Sequence, residues 1–122
     1  MLATVANTFV ALMALLHVYI LVLEMFLWTS KRGRRAFGTT VEFAEASKVL
    51  AANQGLYNGF LAAGLVWSLW LGAEGHGVKL FFLGCILVAG LYGGLTATRK
   101  ILFIQAIPAA IGIALVLAAA HG

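Results

Sequence analysis

Apolar residues run along this chain in four long blocks, separated by three short clusters of charged or turn-forming residues. The first block extends from about Ala6 to Thr29, the second from about Lys48 to Leu71, the third from about Lys79 to Thr98 and the fourth from about Ile101 to Ala120. Each is close to the ~20 residues that an α-helix needs to cross the hydrocarbon core of a bilayer. None alternates with the period of two that a barrel strand requires. The pattern predicts an all-α, polytopic membrane protein, with four transmembrane helices in one bundle over about 6–29, 40–71, 79–98 and 101–120 and residues 1–122 forming a single domain.

The breaks refine these elements. Ser30 to Gly38 is a basic loop. Thr39-Thr40-Val41-Glu42 fits a capping box, with Thr39 as N-cap and Glu42 at N3, so the second helix starts at about residue 40, ahead of its apolar block. Lys48 can snorkel as that helix enters lipid. Gly72 to Val78 is a short turn in which His76 reads as a solvated loop residue, as does His121 at the other end of the last block. Arg99-Lys100 marks a tight third turn. Pro108 removes a backbone donor, leaves the Ile104 carbonyl without its usual partner and is expected to kink the fourth helix. Trp28, Trp67 and Trp70 suit the headgroup region. The first block has no basic leader and no small-x-small pattern near its end, and it carries Glu24, so it reads as a retained transmembrane helix rather than a signal peptide.

Composition strengthens the membrane reading. Hydrophobic residues make up 63% of the 122, charged residues 10%, and the mean hydropathy is +1.03. A soluble domain has roughly 45–50% and about 25%, and a chain this short leaves about a third of its unfolded surface exposed. Lipid must solvate much of that excess. The net charge of +4 comes mainly from Lys31, Arg32, Arg34 and Arg35 and from Arg99-Lys100. No basic face is interleaved with aromatics, so no nucleic-acid partner is expected. The positive-inside rule instead places loops one and three in the cytoplasm and both termini and loop two outside, in the cell inner membrane. Cys85 is the single cysteine, which excludes an intrachain disulfide and a cysteine-rich metal site. It reads as a small core residue.

Polar side chains inside apolar blocks carry the candidate chemistry, because each is costly in lipid unless it finds a partner or lines a cavity. At 100° per residue His17, Glu24 and Trp28 fall within about 40° of one another, with His17 and Glu24 about 10 Å apart along the axis. The densest group is Asn53-Gln54-Gly55-Leu56-Tyr57-Asn58-Gly59-Phe60. Asn53, Tyr57 and Phe60 share one face there, Gln54 and Asn58 flank it, and Gly55 and Gly59 lie on the other side. Tyr92, Thr96 and Arg99 are in register on the third segment, with Cys85 on the same face, and Gln105 is the one strongly polar residue of the fourth. Glu24, Asn53, Thr96 and Gln105 all fall within roughly 5–11 Å of the cytoplasmic charges at 1.5 Å per residue, a coincidence that a cavity open to the cytoplasm explains. The candidate ligand-binding set is therefore His17, Glu24, Asn53, Gln54, Tyr57, Asn58, Tyr92, Thr96, Arg99 and Gln105. Glu24 would serve as charged anchor or proton carrier and His17 as a relay. The structural alternatives are that the amides only glue helices together and that Glu24 pairs with Arg99 or Lys100. No nucleotide loop, metal cluster or serine triad is visible, and no cofactor follows from the residues. The small-xxx-small pairs Gly55/Gly59 and Gly90/Gly94 are expected to join copies of the chain in a homo-oligomer.

His17-Val18-Tyr19-Ile20, Glu24 with Trp28, the block from Asn53 to Phe60, and Gln105 with Pro108-Ala109 resemble the small bacterial membrane proteins of domain-of-unknown-function family 1304. That resemblance covers nearly the whole chain; it implies four membrane helices and brings no established activity. A weaker likeness is to the MAPEG superfamily of four-helix membrane proteins, which bind glutathione between the subunits of a trimer. Asn53 would match the Asn of their Arg-Ala-His-x-Asn-x-x-Glu pattern, but Val49-Leu50-Ala51 lacks its Arg and His and Leu56 replaces its Glu. Four functions remain open: a polar small-molecule site in the cytoplasmic half of the membrane, a MAPEG-like enzyme acting with glutathione or another thiol through Tyr92 and Arg99, a small transporter or exporter, and a structural membrane subunit.

Overall fold

Twenty-four residues without a proline or glycine, Leu2–Met25, form the first helix, α1, of the structure, a computed structural model that describes residues 1–121. The side chain of His121, expected to be solvated, lies outside the described residues. α1 stops before its apolar block does. The Phe26 and Leu27 amides both donate to the Val22 carbonyl, at 3.0 and 3.1 Å, and Ser30 N–H then turns back to Leu27 O at 3.1 Å. Trp28 is thus in a turn, and the helical face it was expected to share with His17 and Glu24 ends at Glu24.

The basic loop contains a helix that periodicity does not predict, α2 (Lys31–Phe37). Ser30 is its N-cap, accepting from Gly33 N–H at 3.2 Å. Gly38 closes it in the left-handed region, φ 67°, with its N–H on the Arg34 carbonyl. Gly33 rests on the Leu27 carbonyl with no room for a Cβ. The Trp28 and Phe37 rings pack at 4.9 Å, and Arg34 Nε donates to Thr29 O at 3.3 Å.

The next helix, α3 (Val41–Trp70), matches its expected bounds closely. Its cap is shifted by one residue. Thr40 Oγ1, not Thr39, accepts from Phe43 N–H at 3.1 Å, which puts Glu42 at N2 and removes the capping box. The Thr39 hydroxyl is instead buried without a hydrogen bond among the described residues.

The helices belong to two compact units, Leu15–Ala62 and Met1–Ala14 with the chain from Ala63 onward. In the first, Gly55 and Gly59 of α3 admit α1 at close range: a Cβ on Gly55 would meet Met25 Cγ at 2.6 Å and the Leu21 carbonyl at 3.2 Å, and one on Gly59 would meet Leu21 Cδ1 at 2.7 Å. In the second, Gly72 (φ 65°) and a 3-10 turn, Gly72–Gly75, lead into α4 (His76–Thr96). A tight turn then reaches a π turn, Leu102–Ala106, and α5 (Ile107–His121). Leu65, Leu83 and Ile86 are fully buried at its centre, and Lys79 Nζ donates to Asn7 Oδ1 at 2.8 Å. Gly90 faces the Ala106 backbone and Gly94 the Leu102 side chain. Both glycine pairs expected to join separate copies are therefore packing surfaces within one chain.

Pro108 acts through the π turn. Ile107 N–H reaches five residues back to Leu102 O, so the helix is widened one turn ahead of the residue that lacks a donor. Three stretches are long and apolar enough to cross a membrane: Leu2–Met25, Gly72–Thr96 and Leu102–Ala120. α3 has the length, 30 residues, or about 45 Å at 1.5 Å each, but its amides and its charges near the start lower its apolarity.

Candidate functional site

Within the unit Leu15–Ala62, Glu24 sits one residue from the end of α1 and Asn58 near the middle of α3. Glycine at 55 brings the two helices together beside them, since a Cβ there would lie 3.1 Å from Glu24 Cβ. Each side chain is 7% exposed. Asn58 Nδ2 donates to Glu24 Oε1 at 2.6 Å and lies 3.3 Å from the Gln54 carbonyl oxygen of its own helix. The short bond runs from an amide N–H to a carboxyl oxygen. The Gln54 bond holds the amide in place on α3. His17, two turns earlier on α1, is fully buried.

The polar block of α3 is therefore divided. Asn58 joins Gly55 on the face packed against α1, whereas Asn53, Gln54 and Tyr57 are turned outward, Tyr57 to 53% exposure. The helical wheel alone sets Asn58 beside Gln54 and the glycines apart from both. Asn58 lies midway between those two arcs, and the partner at Glu24 draws it to the glycine side. The remaining candidates belong to the other unit. Tyr92, Thr96 and Arg99 are exposed, Thr96 Oγ1 donating to the Tyr92 carbonyl at 2.7 Å. Gln105 is half-buried in the π turn and Cys85 half-buried in α4. Among the described residues no three His, Cys, Asp or Glu side chains converge as a metal site would need.

A cleft in the unit Leu15–Ala62 is not apparent from hydrophobic patterning. Tyr19 of α1 and Lys31, Arg32, Arg35 and Ala36 of α2 line a cleft of about 380 Å³. Read as sequence, the loop is only a topology signal. A seven-residue stretch between a Ser and a Gly, each a good helix cap, is the clue that α2 would gather those cations on one side.

These features define a small all-helical protein with helices of membrane-spanning length and a carboxylate–amide pair buried between two of them. The chain matches the family described as "Protein of unknown function (DUF1304)" over residues 11–117, and it belongs to that family. It is 41% identical over 97 residues, 77% of its own length and 81% of the relative's, to the "Uncharacterized protein YpaA" of Lactococcus lactis subsp. lactis (strain IL1403). No solved structure matches it.

Proposed function

We propose that the chain is a multi-pass protein of the cell inner membrane and that the Glu24–Asn58 pair anchors a small-molecule site in the cytoplasmic half of the bilayer. In this reading α1, α3, α4 and α5 all span, both termini lie outside, and the α2 loop and the Arg99–Lys100 turn lie in the cytoplasm. The basic character of those two loops supports the orientation, and the length of α3 supports a fourth span. A single bundle is then one domain.

The observation that carries the site is the 2.6 Å bond from a buried amide to a buried carboxylate. Helix packing alone needs no acid: an amide at position 24 would bond Asn58 equally well, with no titratable group taken out of water. A carboxylate held by one neutral donor is suited to a ligand that brings the complementary hydrogen-bond donor or positive charge. Asn53, Gln54 and Tyr57, left outward on the same helix, are the groups by which a second copy or the ligand itself would complete the site.

Native mass spectrometry of the protein, extracted gently from its host membrane, tests this. The expected result is a small molecule retained by the native chain and absent from Glu24→Gln at unchanged oligomeric state. Lipid alone in both samples would sink the reading and leave the pair as helix-packing glue. Retention of a thiol such as glutathione would redirect it to a thiol-dependent enzyme.

A further inference from the structure

The cleft lined by Tyr19, Lys31, Arg32 and Arg35 stands apart from the Glu24–Asn58 pair in its chemistry. No carboxylate lines it. The side chains of Lys31, Arg32 and Arg35 make no hydrogen bond or ion pair among the described residues. Three like charges are thereby held on two turns of helix, at a cost in mutual repulsion that an anion would relieve. The carrier of those charges is also anchored. α2 is capped at both ends, seated on Leu27 through Gly33 and pinned by the Trp28–Phe37 ring pair. Arg34, on the same two turns, does not line the cleft and instead donates to Thr29 O.

The other side of the cleft belongs to α1. Tyr19 lies six residues before the end of that helix, about 9 Å below it at 1.5 Å per residue. Leu15, one turn further from that end, falls within about 40° of Tyr19 on the helical wheel, and it is 64% exposed. An uncovered apolar side chain on a helix of membrane-spanning length thus lies directly below a cationic cleft at the helix end. Those are the two halves of an amphiphile's complement: a track for an acyl chain and a seat for a phosphate.

We infer that the cleft between α1 and α2 binds the phosphate headgroup of one anionic phospholipid, with Lys31, Arg32 and Arg35 holding the phosphate, the Tyr19 hydroxyl donating to it from below, and an acyl chain lying along Leu15. Basic pockets beside membrane helices on the cytoplasmic side take anionic headgroups by the same charge logic. The assignment uses the unit Leu15–Ala62 alone and is independent of the role of Glu24.

The test is a lipid titration of the whole, delipidated protein in detergent, read by native mass spectrometry. Dioleoyl phosphatidylglycerol is expected to bind as a single copy, at least tenfold more tightly than dioleoyl phosphatidylcholine. Replacing two cleft cations, Arg32→Gln with Arg35→Gln, is expected to weaken that binding about thirtyfold, the product of two surface cations. Arg34→Gln, which removes the same kind of charge outside the cleft, is expected to change it less than twofold. Circular dichroism confirms that the variants keep their helix content. Equal affinity for the two lipids would overturn the inference, as would equal loss in Arg34→Gln and the double variant. Tight binding of glycerol 3-phosphate, competing with the lipid at equal concentration, would overturn the lipid assignment and give the cleft to a soluble phosphate ester.

Discussion

Asn58 and Glu24 are buried together, so the energetics of either depends on what the other is left with. Asn58→Leu removes the donor and strands a carboxylate, at an expected cost of about 1–3 kcal/mol or more. Glu24→Gln keeps an oxygen for Asn58 to donate to and is expected to cost less than ~1 kcal/mol. Glu24→Leu combined with Asn58→Leu removes both polar groups and is expected to recover most of the Asn58→Leu loss. Thermal unfolding in detergent, followed by circular dichroism, gives the order. Equal losses for Asn58→Leu and Glu24→Gln would mean that the bond contributes nothing particular to the carboxylate. Of this pair, Glu24 was legible in the sequence, because an acid within an apolar block must find a partner or serve a site. The identity of its partner was not. Asn58 sits at the boundary of two arcs on the α3 wheel, and the choice between them depends on the approach of α1, which no single-helix pattern encodes.

The same close approach sets what each helix tolerates. A Cβ at Gly55 meets a flexible side chain at Met25 but also the Leu21 backbone, so Gly55→Ala is expected to cost about 1–3 kcal/mol and to lengthen the Glu24–Asn58 bond. At Gly33 the obstacle is backbone, foremost the Leu27 carbonyl. Gly33→Ala should lift α2 off the end of α1 and expose its four basic residues to trypsin. Faster cleavage at Lys31–Arg35 than in the native protein is the expected outcome, and an unchanged digestion pattern would show that α2 does not depend on that seat. α2 itself illustrates where periodicity fails. Two turns are too few for an apolar repeat, and four of its seven residues are cations, so only its caps announce it. At α3 the helix was legible and its cap was not, because Thr39 and Thr40 are chemically equivalent and only Gly38, which ends α2, sets where the chain can begin to wind again.

At the scale of the molecule, the three most apolar stretches emerge from the sequence as membrane-length helices because length and apolarity are local properties. α3 is the element on which topology turns. With four spans, Glu42 at its start and Ala73 just past its end lie on opposite sides of the membrane; without α3 as a span they lie on the same side. Cys85 is the only native thiol, so Glu42→Cys and Ala73→Cys placed singly in a Cys85→Ser background are clean probes. In intact spheroplasts an impermeant maleimide is expected to label position 73 directly and position 42 only after the membrane is opened. Labelling of both, or of neither, before opening would contradict a spanning α3.

The π turn at Leu102–Ala106 has a bearing on how the last helix is read at all. An extra residue in one turn advances the winding by about 100° relative to an uninterrupted α-helix, so the segment before Leu102 and the helix after Ala106 keep different angular origins. Any stripe traced backwards from α5 ends on the wrong side of the Arg99–Lys100 turn by nearly a third of a circle. The turn behaves as a one-residue insertion: excising Phe103 should restore an even winding and swing Lys100, at the start of that helix, by about 100° around its axis, with helix content by circular dichroism unchanged.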